Sequence, residues 1–219
     1  MSNVLLTGFQ GYGGRGINPA GEVVKALDGS VIEGATVSGL LLPVSYARTG
    51  ALIEAEMARL RPAVVVSLGL WPAEPVIRIE RVGVNRAAFE IADNEGTLPL
   101  DEPVEPGGPA ARMATLPVAA IIRALRDKGI PARPSDTAGT FLCNATLYRV
   151  LGIAERLGLD ASCGFVHVPY LPQQVADLLD DIAQEARLEL HQRADLASMS
   201  GDMMVEAVRE TIAVSLRAR

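Results

Sequence analysis

The sequence predicts an α/β fold, a single-domain α/β/α sandwich built on a twisted, mostly parallel sheet. Three observations carry that expectation. The chain is 219 residues long, a length that suits one such domain. Hydrophobic residues make up 49% of it but aromatics only 4%, the Val/Ala/Leu-rich balance of parallel strands covered by helices. Strand-like apolar runs alternate with helical patterns throughout, and right-handed crossovers turn that alternation into a parallel-dominated sheet. No low-complexity linker or internal repeat interrupts residues 1–219, so they read as one domain.

Each element follows from its local pattern. "NVLLTGF" (3–9) is a buried strand, followed by a glycine loop and a helix that Pro19 opens and "LDG" closes. "TVSGLLLPV" (36–44) is a second strand, leading to a helix near 47–60 that Arg61-Pro62 ends. "AVVVSLGL" (63–70) is a third, and "VIRIERVGVN" (76–85) alternates like a half-exposed strand. Residues 93–116 carry too many Pro and Gly for a long element and read as a functional loop or small hairpin. A helix over 117–128, a short strand near 131–134, a helix over 141–157, a strand over 161–168 and helices near 173–195 and 201–217 complete the chain.

Charge and composition remove several classes of function. With 20 Lys and Arg against 26 Asp and Glu, the chain has no basic excess to meet a polyphosphate, and nucleic acid is not an expected partner. No apolar run approaches the roughly 18 residues of a membrane span, and "MSNVLLTGF" lacks a basic segment and a cleavage site. A soluble cytoplasmic protein without membrane contact is expected. Two cysteines form no disulfide framework, and with two histidines they give no close ligand cluster of the kind zinc prefers, so no metal is expected.

Topology points to a site. In parallel α/β sheets ligands bind beyond the carboxyl ends of strands, where loops enter helix N-termini. Cys143 falls in the first turn or so of the helix after "TAGT", where the macrodipole and unpaired N–H groups favour a thiolate. That helix runs down the sheet and strand 161–168 climbs back, delivering His167 of "FVHVP" to the same edge. A cysteine and a histidine remote in sequence thus meet as a nucleophile and base require. Cys163 lies four strand residues from His167, about 13 Å at ~3.3 Å per residue, too far to pair, and is expected to be a buried apolar side chain. His191 sits among charged helical neighbours and reads as solvated. "GYGGRG" (11–16) fits a dinucleotide fingerprint, but the second strand ends "LLLPVSY" without the acidic residue that would hold a ribose. The loop is read as a tight turn at a pocket edge, and no cofactor is expected.

The segments "LLTGFQGYGGRGINPA", "IERVGVNRAAFEIADNEG", "GPAARMATLPVAAIIRAL", "SDTAGTFLCN" and "FVHVPYLPQQ" resemble, in order and spacing, the pyrrolidone-carboxylate peptidases (pyroglutamyl peptidases type I). The tail "ASMSGDMMVEAVRETIAVSL" is similar to the family's last helix. The resemblance implies an α/β/α sandwich and a cofactor-free cysteine peptidase that removes N-terminal pyroglutamyl residues from peptides, often as a homo-oligomer, tetramer or dimer. It implies catalytic roles for Glu80, Cys143 and His167. It implies a first loop that helps build the pocket, with Phe9 and Tyr12 as walls and Asn18 as a polar anchor; Leu70, Phe141 and Leu142 are the further candidate substrate contacts. On sequence alone Glu80 reads first as a solvent-facing strand residue paired with Arg78 or Arg81, and only the resemblance makes it a catalytic acid. Two segments depart from the family pattern: "GLWPAE" (69–74) stands for G-Q-A-G-G-R, and "FEIADN" (89–94) for A-R-I-P-D-N. Leu70 therefore replaces an amide and Glu90 an arginine. A family member with shifted substrate or weak activity, and a non-catalytic small-ligand binding protein on the same scaffold, remain as alternatives.

Overall fold

The structure, a computed structural model, describes residues 3–12, 16–72, 74–185 and 196–219. In chain order the described elements begin with β1 (Asn3–Phe9), α1 (Pro19–Leu27), β2 (Val31–Ile32), β3 (Ala35–Leu42) and α2 (Tyr46–Leu60). They continue with β4 (Val64–Leu70), β5 (Ile77–Glu80), β6 (Val82–Val84), β7 (Ala111–Met113), α3 (Val118–Asp127) and β8 (Ala132–Ser135). The last four are α4 (Leu142–Arg156), β9 (Ser162–Val168), α5 (Pro172–Glu185) and α6 (Gly201–Arg217). Seven strands form one sheet in the order β2-β3-β1-β4-β9-β5-β8, and β6 and β7 form a separate antiparallel pair.

Strand alternation divides the core in two. Val4, Leu6, Val64, Val66, Leu68, Ile77, Ile79, Val166 and Val168 face a layer to which α1, α3 and α6 contribute Val24, Ile121 and Val208. Leu5, Val65, Cys163 and Phe165 face the other way, onto α2 and α4 through Ile53, Met57, Leu147 and Ile153. The central strands are buried on both faces, which is why they read as unbroken apolar runs. Each fully buried aliphatic side chain contributes about 1.5–3 kcal/mol by leaving water. Gly8 lets α1 lie against β1, since a Cβ there would stand 2.6 Å from the Ala20 carbonyl oxygen.

Most element boundaries expected from sequence agree within two residues; the differences have local causes. The strand expected over 76–85 divides at Arg81: β5 joins the main sheet, and β6 leaves it to pair with β7. β7 lies inside the Pro- and Gly-rich 93–116 stretch, whose remainder is irregular apart from an Ala87–Glu102 bridge. The second strand stops at Leu42, one residue before Pro43. The edge strand β2, only two residues long, carried no readable period. The sheet is mostly parallel, but β5 runs antiparallel to β9 and β8 follows β5. The helix expected near 173–195 is described as α5 to Glu185; its remainder, with His191, lies outside the described residues, as do Gly13, Gly14 and Arg15 of the glycine loop.

Candidate active site

The carboxyl ends of β4 and β9 form the floor of the site. Gly69 pairs with His167 across that ladder, and Arg78 of β5 pairs with His167 on the other side. By alternation Ser67, Gly69 and Trp71 of one strand, and Phe165 and His167 of the next, project towards α4. Cys143 reaches this floor from the first turn of α4. A Cβ on Gly69 would stand 2.7 Å from Cys143 Sγ and 2.8 Å from Phe165 Cζ, so the thiol occupies the space that the missing side chain leaves beside His167's strand partner.

Glu80 and His167 are both sealed from solvent, at 0% and 1% exposure. His167 Nδ1 lies 2.8 Å from Glu80 Oε1. A carboxylate only accepts, so this contact puts the imidazole proton on Nδ1 and leaves Nε2 bare. Nε2 is buried with no hydrogen-bond partner among the described residues. The ring packs against Phe165 at 4.8 Å between centroids and, in an edge-to-face arrangement, against Trp71 at 5.1 Å. Glu80 is thus a buried partner of both His167 and Arg78, and the sequence-level pairing with Arg81 does not occur; Arg81 pairs with Asp136 instead.

Electrostatics set the resting state. Burial pushes the Cys143 thiol up to about 12, helped by the Glu80 charge and opposed by the backbone N–H of its own helix turn. Cys143 is half-buried as a residue, and its thiol packs against Gly69 within the apolar cluster. The thiolate-favouring effect expected of the helix N-terminus is present, but desolvation and a nearby like charge outweigh it. Burial lowers His167 from its ordinary value, with Glu80 pulling the other way. Near neutral pH these directions leave a thiol on Cys143 and a neutral imidazole on His167. Cys163 is fully buried and its thiol is likewise pushed up to about 12.

At the start of α4 no side chain caps the helix, so the first N–H groups remain free to meet an anion. Asn144 pins this turn: its Nδ2 donates to the Val84 and Arg86 carbonyls at 2.9 Å each, and its Oδ1 accepts from Val84 N–H at 2.8 Å. Phe9, Tyr12, Phe141 and Leu142 join Cys143 in one apolar cluster. Tyr12 packs edge-on against Phe141, which packs against Phe89 at 4.4 Å, giving an aromatic wall beside the thiol. Asn18 spends its side chain locally, accepting from Ala20 N–H as the α1 cap and donating to the Gln10 carbonyl. Leu70 follows the alternation of Leu68, so its Cβ leaves the strand on the face opposite Gly69. Glu90 is exposed, next to buried Phe89.

Sequence offers Arg78 only as a surface partner of Glu80, and it singles out neither Trp71 nor Asn144. The last stands in the quoted "FLCN" segment, but only the β6 contact shows its task. Among the described residues no three His, Cys, Asp or Glu side chains gather as a metal site, and no helix is long and apolar enough to cross a membrane.

Comparison with known proteins bears on family and fold. The sequence profile of the family described as pyroglutamyl peptidase matches residues 2–218. A pyrrolidone-carboxylate peptidase of Pyrococcus furiosus is 38% identical over 213 residues, 97% of either chain. One from Thermococcus litoralis is 42% identical over 177 residues, 81% of this chain and 80% of its own. The solved structure of a mutant Pyrococcus furiosus pyrrolidone carboxyl peptidase superimposes with a TM-score of 0.91 at 37% identity, covering 99% of both chains.

Proposed function

The chain belongs to the pyroglutamyl peptidase family, and from that membership and the buried Glu80–His167 pair beside Cys143 we propose that it is a cysteine peptidase that hydrolyses the amide bond after an N-terminal pyroglutamyl residue. In this reading residues 1–219 form a single peptidase domain. Cys143 Sγ attacks the main-chain carbonyl carbon of the pyroglutamyl residue while its proton passes to His167 Nε2. Glu80, through Nδ1, orients the ring and stabilises the imidazolium that forms. The carbonyl oxygen gathers negative charge, and N–H groups of the uncapped α4 turn are its donors. The tetrahedral centre collapses, the C–N bond breaks, and Nε2 returns the proton to the leaving amine. A thioester remains, and water activated by the same imidazole releases 5-oxoproline and restores the thiol.

The aromatic wall of Tyr12 and Phe141 suits a small, flat, uncharged ring. The single observation that carries the proposal is the 2.8 Å Glu80–His167 contact with Nε2 left bare and buried. Purified protein is expected to turn over a chromogenic pyroglutamyl amide in preference to amides of other N-terminal residues, and Cys143→Ala to abolish it. A Cys143→Ala protein that still turns over would remove the assignment. The same reading carries a cytoplasmic homo-oligomer, tetramer or dimer, and the exposed apolar side chains of Ile91, Leu98 and Leu100 support buried subunit surfaces. Light scattering that finds a stable monomer at micromolar concentration would defeat that part.

A further inference from the structure

Arg78 is an arginine in the sheet interior with only 3% of its surface exposed. Its Nε donates to Glu80 Oε1 at 3.2 Å, the same oxygen that accepts from His167. Its Nη1 donates to Glu74 Oε1 at 3.2 Å, and Nη2 donates at 2.7 Å to both Ser135 Oγ and the Thr137 carbonyl. The guanidinium carbon lies 3.7 Å from the centroid of the Trp71 ring, which also packs edge-to-face with His167. One planar fork therefore joins the acid on β5, the loop after β4 through Glu74 and Trp71, the end of β8 through Ser135, and the Thr137 carbonyl in the segment that leads into α4 and Cys143.

From this geometry we propose that Arg78 is a positioning residue of the peptidase reaction, fixing Glu80 and Trp71 so that the His167 ring presents a bare Nε2 to Cys143. The inference rests on the peptidase reading above. Glu80 Oε2 has no partner among the described residues, so the carboxylate is oriented through Oε1 alone, and Arg78 and His167 fix that atom between them. Breaking a buried ion pair from one side leaves an uncompensated charge, here beside the catalytic imidazole. A lysine would keep the charge but not the fork: it cannot make four directed bonds and stack on an indole at once.

The groups that bear on His167 are few. Glu80 and Arg78 face it from β5, Glu74 acts from the loop after β4, where it is also paired with Arg133, and Cys143 stands at the start of α4. Glu80 and Glu74 favour its protonated form and Arg78 opposes it. Removing the Arg78 charge therefore raises the pH at which His167 takes its proton.

The test uses the full chain in wild-type, Arg78→Gln, Arg78→Lys and Cys143→Ala forms, with a chromogenic pyroglutamyl amide as substrate. Trp71 is the only tryptophan in the chain, and an imidazolium packed against it quenches indole emission, so a fluorescence titration reads His167 without turnover. Arg78→Gln is expected to lower kcat roughly a hundredfold, as misplacement of catalytic groups does, with KM little changed. It should also move both the acid limb of kcat/KM and the fluorescence midpoint to higher pH. Arg78→Lys should leave the limb and midpoint near wild type and recover part of kcat. If Arg78→Gln leaves limb and midpoint unmoved, or if its loss of rate only follows a loss of folded protein, the proposal is overturned. A Cys143→Ala protein that still turns over would instead sink the peptidase reading, while the fluorescence midpoints continue to decide the role of Arg78.

Discussion

Gly69→Ala is the smallest change that should displace the Cys143 thiol from the floor it shares with His167. An added methyl would stand 2.7 Å from Cys143 Sγ, 2.8 Å from Phe165 Cζ and 3.0 Å from Phe165 Cε1, all well inside ordinary carbon contact distances of about 3.5–4.0 Å. Something has to move by nearly 1 Å. β4 is paired on both sides, with β1 and β9, so its backbone gives little. Phe165 is fully buried and braces His167. The thiol, at the partly exposed start of α4, is the part that yields. Overpacking costs about 1–3 kcal/mol, offset by roughly 0.4–1 kcal/mol because alanine narrows the unfolded ensemble. A net loss near 1–2 kcal/mol lowers Tm by about 2–8 °C in a chain of this size. The rate should fall much further, on the order of a hundredfold in kcat/KM for a pyroglutamyl amide, because the reacting groups are displaced by that same ångström. Scanning calorimetry and steady-state kinetics on the same preparation measure both. A Gly69→Ala protein with wild-type kcat/KM would show that the sulfur does not need the space above Gly69, and would refute Cys143 as a nucleophile seated there.

Other outcomes follow from the same geometry. Iodoacetamide should label partly exposed Cys143 faster than fully buried Cys163 and abolish turnover, whereas loss of activity with the label on Cys163 would contradict the assignment. His167 is held below its ordinary value of 6.5 by burial, so the acid limb of kcat/KM should lie below pH 6.5; a limb well above 6.5 would show that the Glu80 charge outweighs burial. The same lowering carries a stability sign: above about 6.5 folded and unfolded chains both hold a neutral imidazole, and as pH falls below that the unfolded chain binds a proton the folded one refuses, so stability is lost. Asn144→Ala would strand the Val84 N–H and two carbonyls; urea unfolding should show a loss of roughly 2–4 kcal/mol, and an unchanged midpoint would mean the first turn of α4 is held by something else. Treatment with EDTA should leave turnover unchanged, and activity that vanishes and returns with zinc would contradict a thiol mechanism.

The α/β class, the alternation of elements and the placing of Cys143 and His167 at one edge of the sheet were legible in the sequence, because these depend on hydrophobic period and on the rises of helix and strand, which are local quantities. The resemblance carried by "SDTAGTFLCN" and "FVHVPYLPQQ" extended that to Glu80. How charges and faces are shared between strands distant in the chain depends on the packed fold. Nothing in "VIRIERVGVN" says that β5 turns antiparallel to β9, leaves the sheet after Glu80 and so buries both Glu80 and Arg78 against His167. Nothing in "GLWPAE" says that Trp71 stacks on Arg78, or that Leu70 departs on the opposite face while Gly69 makes room for a sulfur. The proton affinities of Cys143 and His167 are of the same kind: the helix N-terminus was legible in sequence, but the burial that overrides it is a property of the packed site. Desolvation depends on every atom within several ångströms, and most of those atoms come from elsewhere in the chain.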